Sequence, residues 1–462
     1  MLVSFTFENW KSYKGTAALS MVAGRGRSHA GTLIPVPGYR GMSLLPVAGI
    51  WGGNAGGKTN ALDALRFVKA FVTGEYETVR GGIPVRGFRP GDPEAPTRFS
   101  VVFLVDGRMW LLEFSLTVSG VIDESLYWHT KDGTDDDGWR NVYTRATDGR
   151  GDAIVDLQTA ACPELPGWNA SLRARLAECA RGTGPWRLFL SNTVGQRIPV
   201  FAHIHGWFDS TLRHAGADTQ YTRFSKMLTD ERYCRLFGEI LRALDTGVDR
   251  VGLEDAPASE MERSVDRRFL DRLESDGDTM YQLVHRPPHD ITDAVYLVTK
   301  KDGDIRVRRV QTYRRRPDGT EERFGFENES SGTRRLLEVL PVFTDLWSGD
   351  TECVWLLDEI DKEFHTDMTH ALVRRVLESP GDARRSQMIF TTHDLMLMDT
   401  DLLRTDEIYI AERSRSGESS LTALSSYKGI RKDLDLRRSY LEGRFGGLPS
   451  IDEPRDPDRT EE

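Results

Sequence analysis

The residues Gly52-Gly-Asn54-Ala-Gly56-Gly57-Lys58-Thr59 match the spacing GxxxxGK[ST]. A polyphosphate needs several N–H donors at once, and glycines let consecutive amides curl inward around it. A helix starting at the end of the loop adds its N-terminal dipole. Lys58 would reach the β- and γ-phosphates, and the Thr59 hydroxyl would ligate Mg2+. A chance glycine-rich turn could carry the same letters. Here, however, they lie between an apolar run, Leu44–Trp51, and a stretch of helical spacing, Thr59–Phe71. Strand, glycine loop, helix is the context a phosphate loop requires. The expected nucleotide contacts are Gly52, Asn54, Gly56, Gly57, Lys58, Thr59 and Asn60.

A second set of residues could serve the same ligand. Cys353-Val-Trp-Leu-Leu-Asp358-Glu359 is an apolar strand ending in two carboxylates. Asp358 at a sheet edge can hold Mg2+ together with Thr59, and Glu359 can take a proton from an attacking water. An ordinary solvated turn would look alike. Phe390-Thr-Thr-His393-Asp394 also ends a strand in polar residues, and His393 can hydrogen-bond a γ-phosphate, although a lone histidine is otherwise structural. Glu327-Asn-Glu-Ser330-Ser331-Gly332-Thr333 precedes a helix. Small polar residues with glycine there make an anion-binding N-terminus, or a plain N-cap.

These groups need a scaffold. Val3–Phe7 and Ala17–Val22 read as strands, and Phe99–Val105 with Met109–Val118 as a hairpin turning at Asp106-Gly107. Lys131–Gly151, rich in Asp and Gly, reads as an exposed loop. Residues 155–250 are mostly helical in pattern, clearest at Arg173–Ala180 and Asp230–Leu244. Strand signals return at Asp293–Thr299 and Ile305–Tyr313. Helix Gly332–Trp347, strand Cys353–Leu357, helix Met368–Glu378 and strand Gln387–Thr392 follow. The expectation is an α/β fold: a P-loop ATPase core with a mixed sheet, interrupted by a mostly helical insertion. Its parts would be 1–130 and 286–427 for the core, 131–285 for the insertion, and 428–462 for a C-terminal segment and tail.

Composition narrows the function classes. The 462 residues exceed one domain of about 150, and a 39% hydrophobic, 29% charged make-up fits a globular chain. A net charge of −10 argues against indiscriminate binding to nucleic acid or to anionic membranes. Cys162, Cys179, Cys234 and Cys353 show neither disulfide nor zinc spacing. No leader pattern and no apolar run near 18 residues is present, so a cytoplasmic protein without a membrane partner is expected.

The order of phosphate loop, serine–glycine signature, Asp-Glu strand end and Thr-His resembles the ABC-class ATPases, in the branch of SMC, RecF and OLD-like proteins. That resemblance implies an ABC-type core whose Ser330, Ser331 and Gly332 close in trans over ATP held by another subunit's Lys58. Asp361 would lie in the D-loop, and His393 would be the switch histidine. The opening Leu2–Tyr13 and the late segments Tyr427–Leu436 and Tyr440–Pro449 are similar to stand-alone AAA-type ATPases of phage-defence operons, as in RloA-, AbiL- and PARIS-type systems. The resemblance implies ATP and Mg2+ as ligands, Glu359 as catalytic base with Lys58 and His393, and a dimer or higher homo-oligomer. It also implies a separately encoded nuclease or other effector, with DNA or a phage protein as further candidate partners. Two features depart from the pattern: no Gln lies between Thr59 and Leu157, and the signature is Ser-Ser-Gly-Thr.

Rival readings remain open at this level. A DNA-repair ATPase and a nucleotide-switched scaffold with little turnover fit the same motifs. Arg306, Arg308, Arg309 and Arg314–Arg316 could track a phosphate backbone or form a solvated hairpin balanced by Glu321 and Glu322. Thr299-Lys-Lys-Asp302 resembles a guanine-reading motif but precedes the Asp-Glu strand and suits a hairpin turn better. Asp433-Leu-Asp435 mimics a nuclease DxD, yet the chain beyond His393 is short for a separate domain of about 100–150 residues.

Overall fold

A computed structural model describes residues 1–76, 82–89, 91–131, 138–149, 151–158, 165, 167–215, 222–257, 267–285, 294–348, 351–378, 384–431 and 434–448. The chain divides into two units. The first comprises Met1–Ala217, Leu346–Asp361 and Val373–Glu462, the second Asp218–Asp345 and Lys362–Leu372.

The first unit is built on two large sheets. One runs in the order Leu212–Ala215, Cys353–Leu357, Ser386–Thr391, Val47–Trp51, Ile408–Arg413, Ser419–Ala423. Its first five strands are parallel and the last is antiparallel. Every residue of Val47–Trp51, Cys353–Leu357 and Ser386–Thr391 is buried. Parallel strands are covered on both faces and so read as continuous apolar runs; that is why these three were legible. The other sheet is antiparallel, in the order Ala153–Leu157, Trp139–Thr147, Gly120–His129, Arg108–Thr117, Thr97–Val105, Leu2–Glu8, Ala17–Ser20. Helix Lys58–Thr73 contributes Leu62, Leu65, Val68 and Val72 to the same core as Phe5, Phe99 and Phe114. Fully buried Gln387 fastens the first strand to the core: its carboxamide accepts from Leu2 N at 2.7 Å and donates to the Leu2 and Leu45 carbonyls, each at 3.1 Å.

The second unit holds an antiparallel sheet ordered Arg250–Asp255, Asp304–Arg315, Ala294–Lys301, Thr279–His285, with Glu321–Gly325 also paired to Asp304–Arg315. Helix Glu231–Ala243 starts at Asp230, whose carboxylate accepts from Arg232 N. The guanine-motif mimic is a hairpin turn, with Asp302 and Gly303 at φ 51° and 87°. Lys300 there donates to the carbonyls of Leu273, Glu274 and Asp276 at the end of helix Arg267–Ser275.

The fold is the expected mixed α/β. Residues 131–217 go with the first unit, and 294–325, expected in the core, form the second unit's sheet. The loop expected over Lys131–Gly151 contains the strand Trp139–Thr147, which pairs with Gly120–His129. Only Val142, Tyr143 and Arg145 of this strand are buried, so apolar alternation is too weak to read, and Arg145 is an inward-facing charge. Among the described residues no helix is long and apolar enough to cross a membrane.

Candidate nucleotide site

The phosphate loop leaves the buried strand at Trp51 and reverses into the helix at Lys58. Gly52 has φ 149°, and a Cβ there would lie 2.1 Å from the Ala411 carbonyl oxygen; at Gly57, φ 113°, it would lie 2.8 Å from Ser419 Oγ. Only glycine fits both backbone and neighbours. Two further bonds brace the loop. Gly53 N donates to the Gly447 carbonyl at 2.6 Å, and Tyr13 OH donates to the Gly57 carbonyl at 3.2 Å.

Lys58 is 6% exposed and bends back along the loop, donating to the carbonyls of Gly52 at 2.8 Å and Gly53 at 3.2 Å. Burial lowers its pKa, opposed by Asp361, Glu359 and Asp358. A cation desolvated this way, with only carbonyl partners, favours an incoming anion.

Thr59 Oγ1 donates to Asp358 Oδ1 at 3.2 Å, and Thr391 Oγ1 donates to the same oxygen at 2.6 Å. The Asp358 amide donates to the Ala215 carbonyl at 3.2 Å, and Arg66 stands 3.9 Å from Oδ2. Glu359 follows in the left-handed region at φ 51°. Its amide donates to Thr391 Oγ1 at 2.8 Å. Strained backbone of this kind is kept only where surroundings enforce it; here it turns Glu359 out of the strand to line the cleft. Asp361 accepts from the His393 amide at 3.2 and 3.3 Å, tying the two loops together.

The cleft, about 540 Å3, is lined by the loop from Gly53 to Asn60 together with Glu359 and His393. An exposed hydroxyl and a carboxylate converging beside the phosphate loop suit a hard, oxygen-seeking Mg2+, and the donors present therefore fit that ion. Four lining residues escaped the sequence reading: Lys11, Ser12, Arg89 and Arg413. Ser12 Oγ accepts from Asn60 Nδ2 at 2.9 Å. Thr391 was also missed, although it stands beside the Thr392-His393 pair. Lone Ser, Thr and Arg residues have no spacing signature; only contact reveals them.

Ser330, Ser331 and Gly332 belong to the second unit. Ser330 Oγ accepts from Thr333 N at 3.1 Å, an N-cap of helix Ser331–Ser348. The preceding acids are buried and paired. Glu329 takes a two-pronged bond from Arg314, at 2.6 and 2.8 Å, and Glu327 bonds Arg309. Arg316 likewise pairs with Glu322 at 2.8 Å. The basic hairpin is thus largely neutralised from within its own unit. Asp435 caps helix Leu436–Leu441; Asp433 lies outside the described residues.

The family model described as "AAA domain, putative AbiEii toxin, Type IV TA system" matches residues 47–151 and 214–399, more than half of the chain. No curated protein matches. Among solved structures, the SMC head domain from Thermotoga maritima aligns at 12% identity and a TM-score of 0.32, over 91% of this chain and 98% of that one. An SmcHead bound to the C-winged helix domain of ScpA aligns at 13% identity and a TM-score of 0.35, over 91% and 97%.

Proposed function

The chain belongs to the AAA-domain family described as putative AbiEii toxin of type IV toxin–antitoxin systems, and on that premise we propose that it binds ATP with Mg2+ and hydrolyses it. The observation that carries the reading is the meeting of Thr59, Thr391 and Asp358 on one carboxylate oxygen, next to the buried Lys58 and with Glu359 lining the same cleft.

Loop amides from Gly53 to Thr59 would hold the phosphates, with Lys58 swinging from its carbonyl partners onto the β- and γ-oxygens. Thr59 and Asp358 would hold Mg2+, which when bound neutralises charge building on the transferred group. Glu359 accepts the proton of the attacking water, and His393, anchored through Asp361, orients the γ-phosphate. Water exclusion falls to a second copy, whose Ser330, Ser331 and Gly332 present a helix N-terminus to the same phosphate. ATP then assembles a dimer and hydrolysis releases it. The family's association with toxin–antitoxin systems supports a defence role, in which this ATPase restrains or fires a separately encoded effector.

Replacing Glu359 by Gln should cut phosphate release about 10²- to 10⁴-fold while fluorescent-ATP binding persists. Unchanged release would remove the hydrolytic reading and leave a nucleotide-switched scaffold. Ser330→Arg should abolish ATP-dependent association in sedimentation runs; association that survives would sink the closure in trans.

A further inference from the structure

A second cleft, about 460 Å3, opens at the other end of the strand whose C-terminal Arg413 lines the nucleotide site. Asp406 and Glu407 lead into that strand, Ile408–Arg413. Six residues of strand span about 20 Å, so the two clefts are separate. Its lining includes Gly24, Arg25, Gly26 and Ser28 of one loop and Arg431 of the late segment that begins at Tyr427.

Arg404 builds this cleft from below. It is 3% exposed and donates to the carbonyls of Gly24 at 3.2 Å and Gly26 at 2.9 Å, and also to that of Ser28. Asp406 completes the anchor, taking two bonds from Arg404, each at 2.8 Å, and one from the Gly24 amide at 2.7 Å. With its carbonyls drawn inward, the loop leaves Arg25 and Arg27 exposed. Neither they nor the exposed Arg431 meets a carboxylate among the described residues. Asp406, the one carboxylate lining the cleft among the described residues, is already engaged. The contrast with Arg309, Arg314 and Arg316, each matched to a glutamate, is sharp in a chain of net charge −10. Hydroxyls of Ser28, Thr405 and Ser425 line the remaining wall.

We propose that this cleft binds a phosphomonoester dianion, held between the Arg25 and Arg431 guanidiniums and assisted by the hydroxyls. Guanidinium forks match phosphate oxygens two at a time, which lysines cannot do. The ligand is either a free nucleotide or the terminal phosphate of a nucleic-acid strand. The site stands independently of ATP hydrolysis, because none of its residues touches the phosphate loop.

The test uses full-length protein carrying Lys58→Ala, so that the phosphate loop contributes little. Fluorescence anisotropy is read with a short thymidine oligonucleotide bearing a 5′-phosphate and with the same strand bearing a 5′-hydroxyl. The phosphorylated strand should bind at least about tenfold tighter. Adding Arg25→Gln and Arg431→Gln should erase that preference, and a Lys pair should restore only part of it. Melting temperatures within about 2 °C of one another would show that folding is intact. Competition by AMP assigns the site to free nucleotides, and displacement only by phosphorylated strands assigns it to strand ends. Equal binding of the two strands, or a preference indifferent to both arginine changes, overturns the proposal.

Discussion

Acids in the second unit are handled differently from those beside the nucleotide cleft of the first. In the second, Glu254, Glu321, Glu322, Glu327 and Glu329 meet Arg323, Arg250, Arg316, Arg309 and Arg314 in turn. In the first, around the nucleotide cleft, Asp358 and Asp361 accept from hydroxyls and an amide, and the Glu359 side chain makes no hydrogen bond or ion pair among the described residues. Asp358 has only a long contact to Arg66, at 3.9 Å. A matched acid is spent on holding the chain in place. One left without a cation is retained where a ligand brings the positive charge, and such groups mark reactive sites.

The contrast can be broken at its strongest pair. Arg314→Ala would strand Glu329, whose side chain is 0% exposed, and should cost about 3 kcal/mol in a denaturant titration. Arg316→Ala removes a pair with both members about half exposed and should leave the denaturation midpoint close to that of wild type. Equal losses from the two would mean that the matched acids of the second unit are not what fixes the approach to Ser330.

A subtler case sharpens the comparison. Glu407 in the first unit is buried, with Oε2 accepting from Arg404 N at 2.8 Å and Oε1 without a hydrogen-bond partner. Burial raises its pKa to about 8, despite Arg404 and Arg384 nearby. The folded chain therefore keeps a proton that the unfolded chain releases above its ordinary value of 4.5. Stability from this group is full below that value and is lost as pH rises toward about 8. Glu407→Gln should melt close to wild type at pH 5 and higher than wild type at pH 8. A gap that narrows with rising pH would contradict this.

Legibility followed the same physics. The strands ending at Trp51, Leu357 and Thr391 were readable because burial on both faces makes them uniformly apolar, and they deliver Gly52–Lys58, Asp358–Glu359 and His393 to the carboxyl ends of three adjacent parallel strands. The strand Trp139–Thr147 was hidden because Arg145, fully buried, sits at an inward position where a hydrophobic residue would be expected. Its guanidinium donates from its two terminal nitrogens to the Arg187 and Gly184 carbonyls and stands 3.6 Å from Glu124, while Nε has no hydrogen-bond partner, a long-range arrangement with no local trace. The division into two units is hard to read in the sequence for a related reason. Strands Ala294–Lys301 and Asp304–Arg315 look like core strands locally, and only their partners, Thr279–His285 and Arg250–Asp255, give them to the second unit. Ser330 read equally well as an N-cap and as an anion-binding residue, and the structure realises the cap while leaving the serine exposed.

The most direct test is equilibrium binding of a fluorescent ATP analogue to wild type, to Lys58→Ala and to Arg314→Ala. Loss of Lys58 should weaken binding about 100-fold, because a charge-assisted contact to the phosphates disappears. Arg314→Ala should bind as wild type does. Wild-type affinity in Lys58→Ala would contradict the assignment of the triphosphate to this loop.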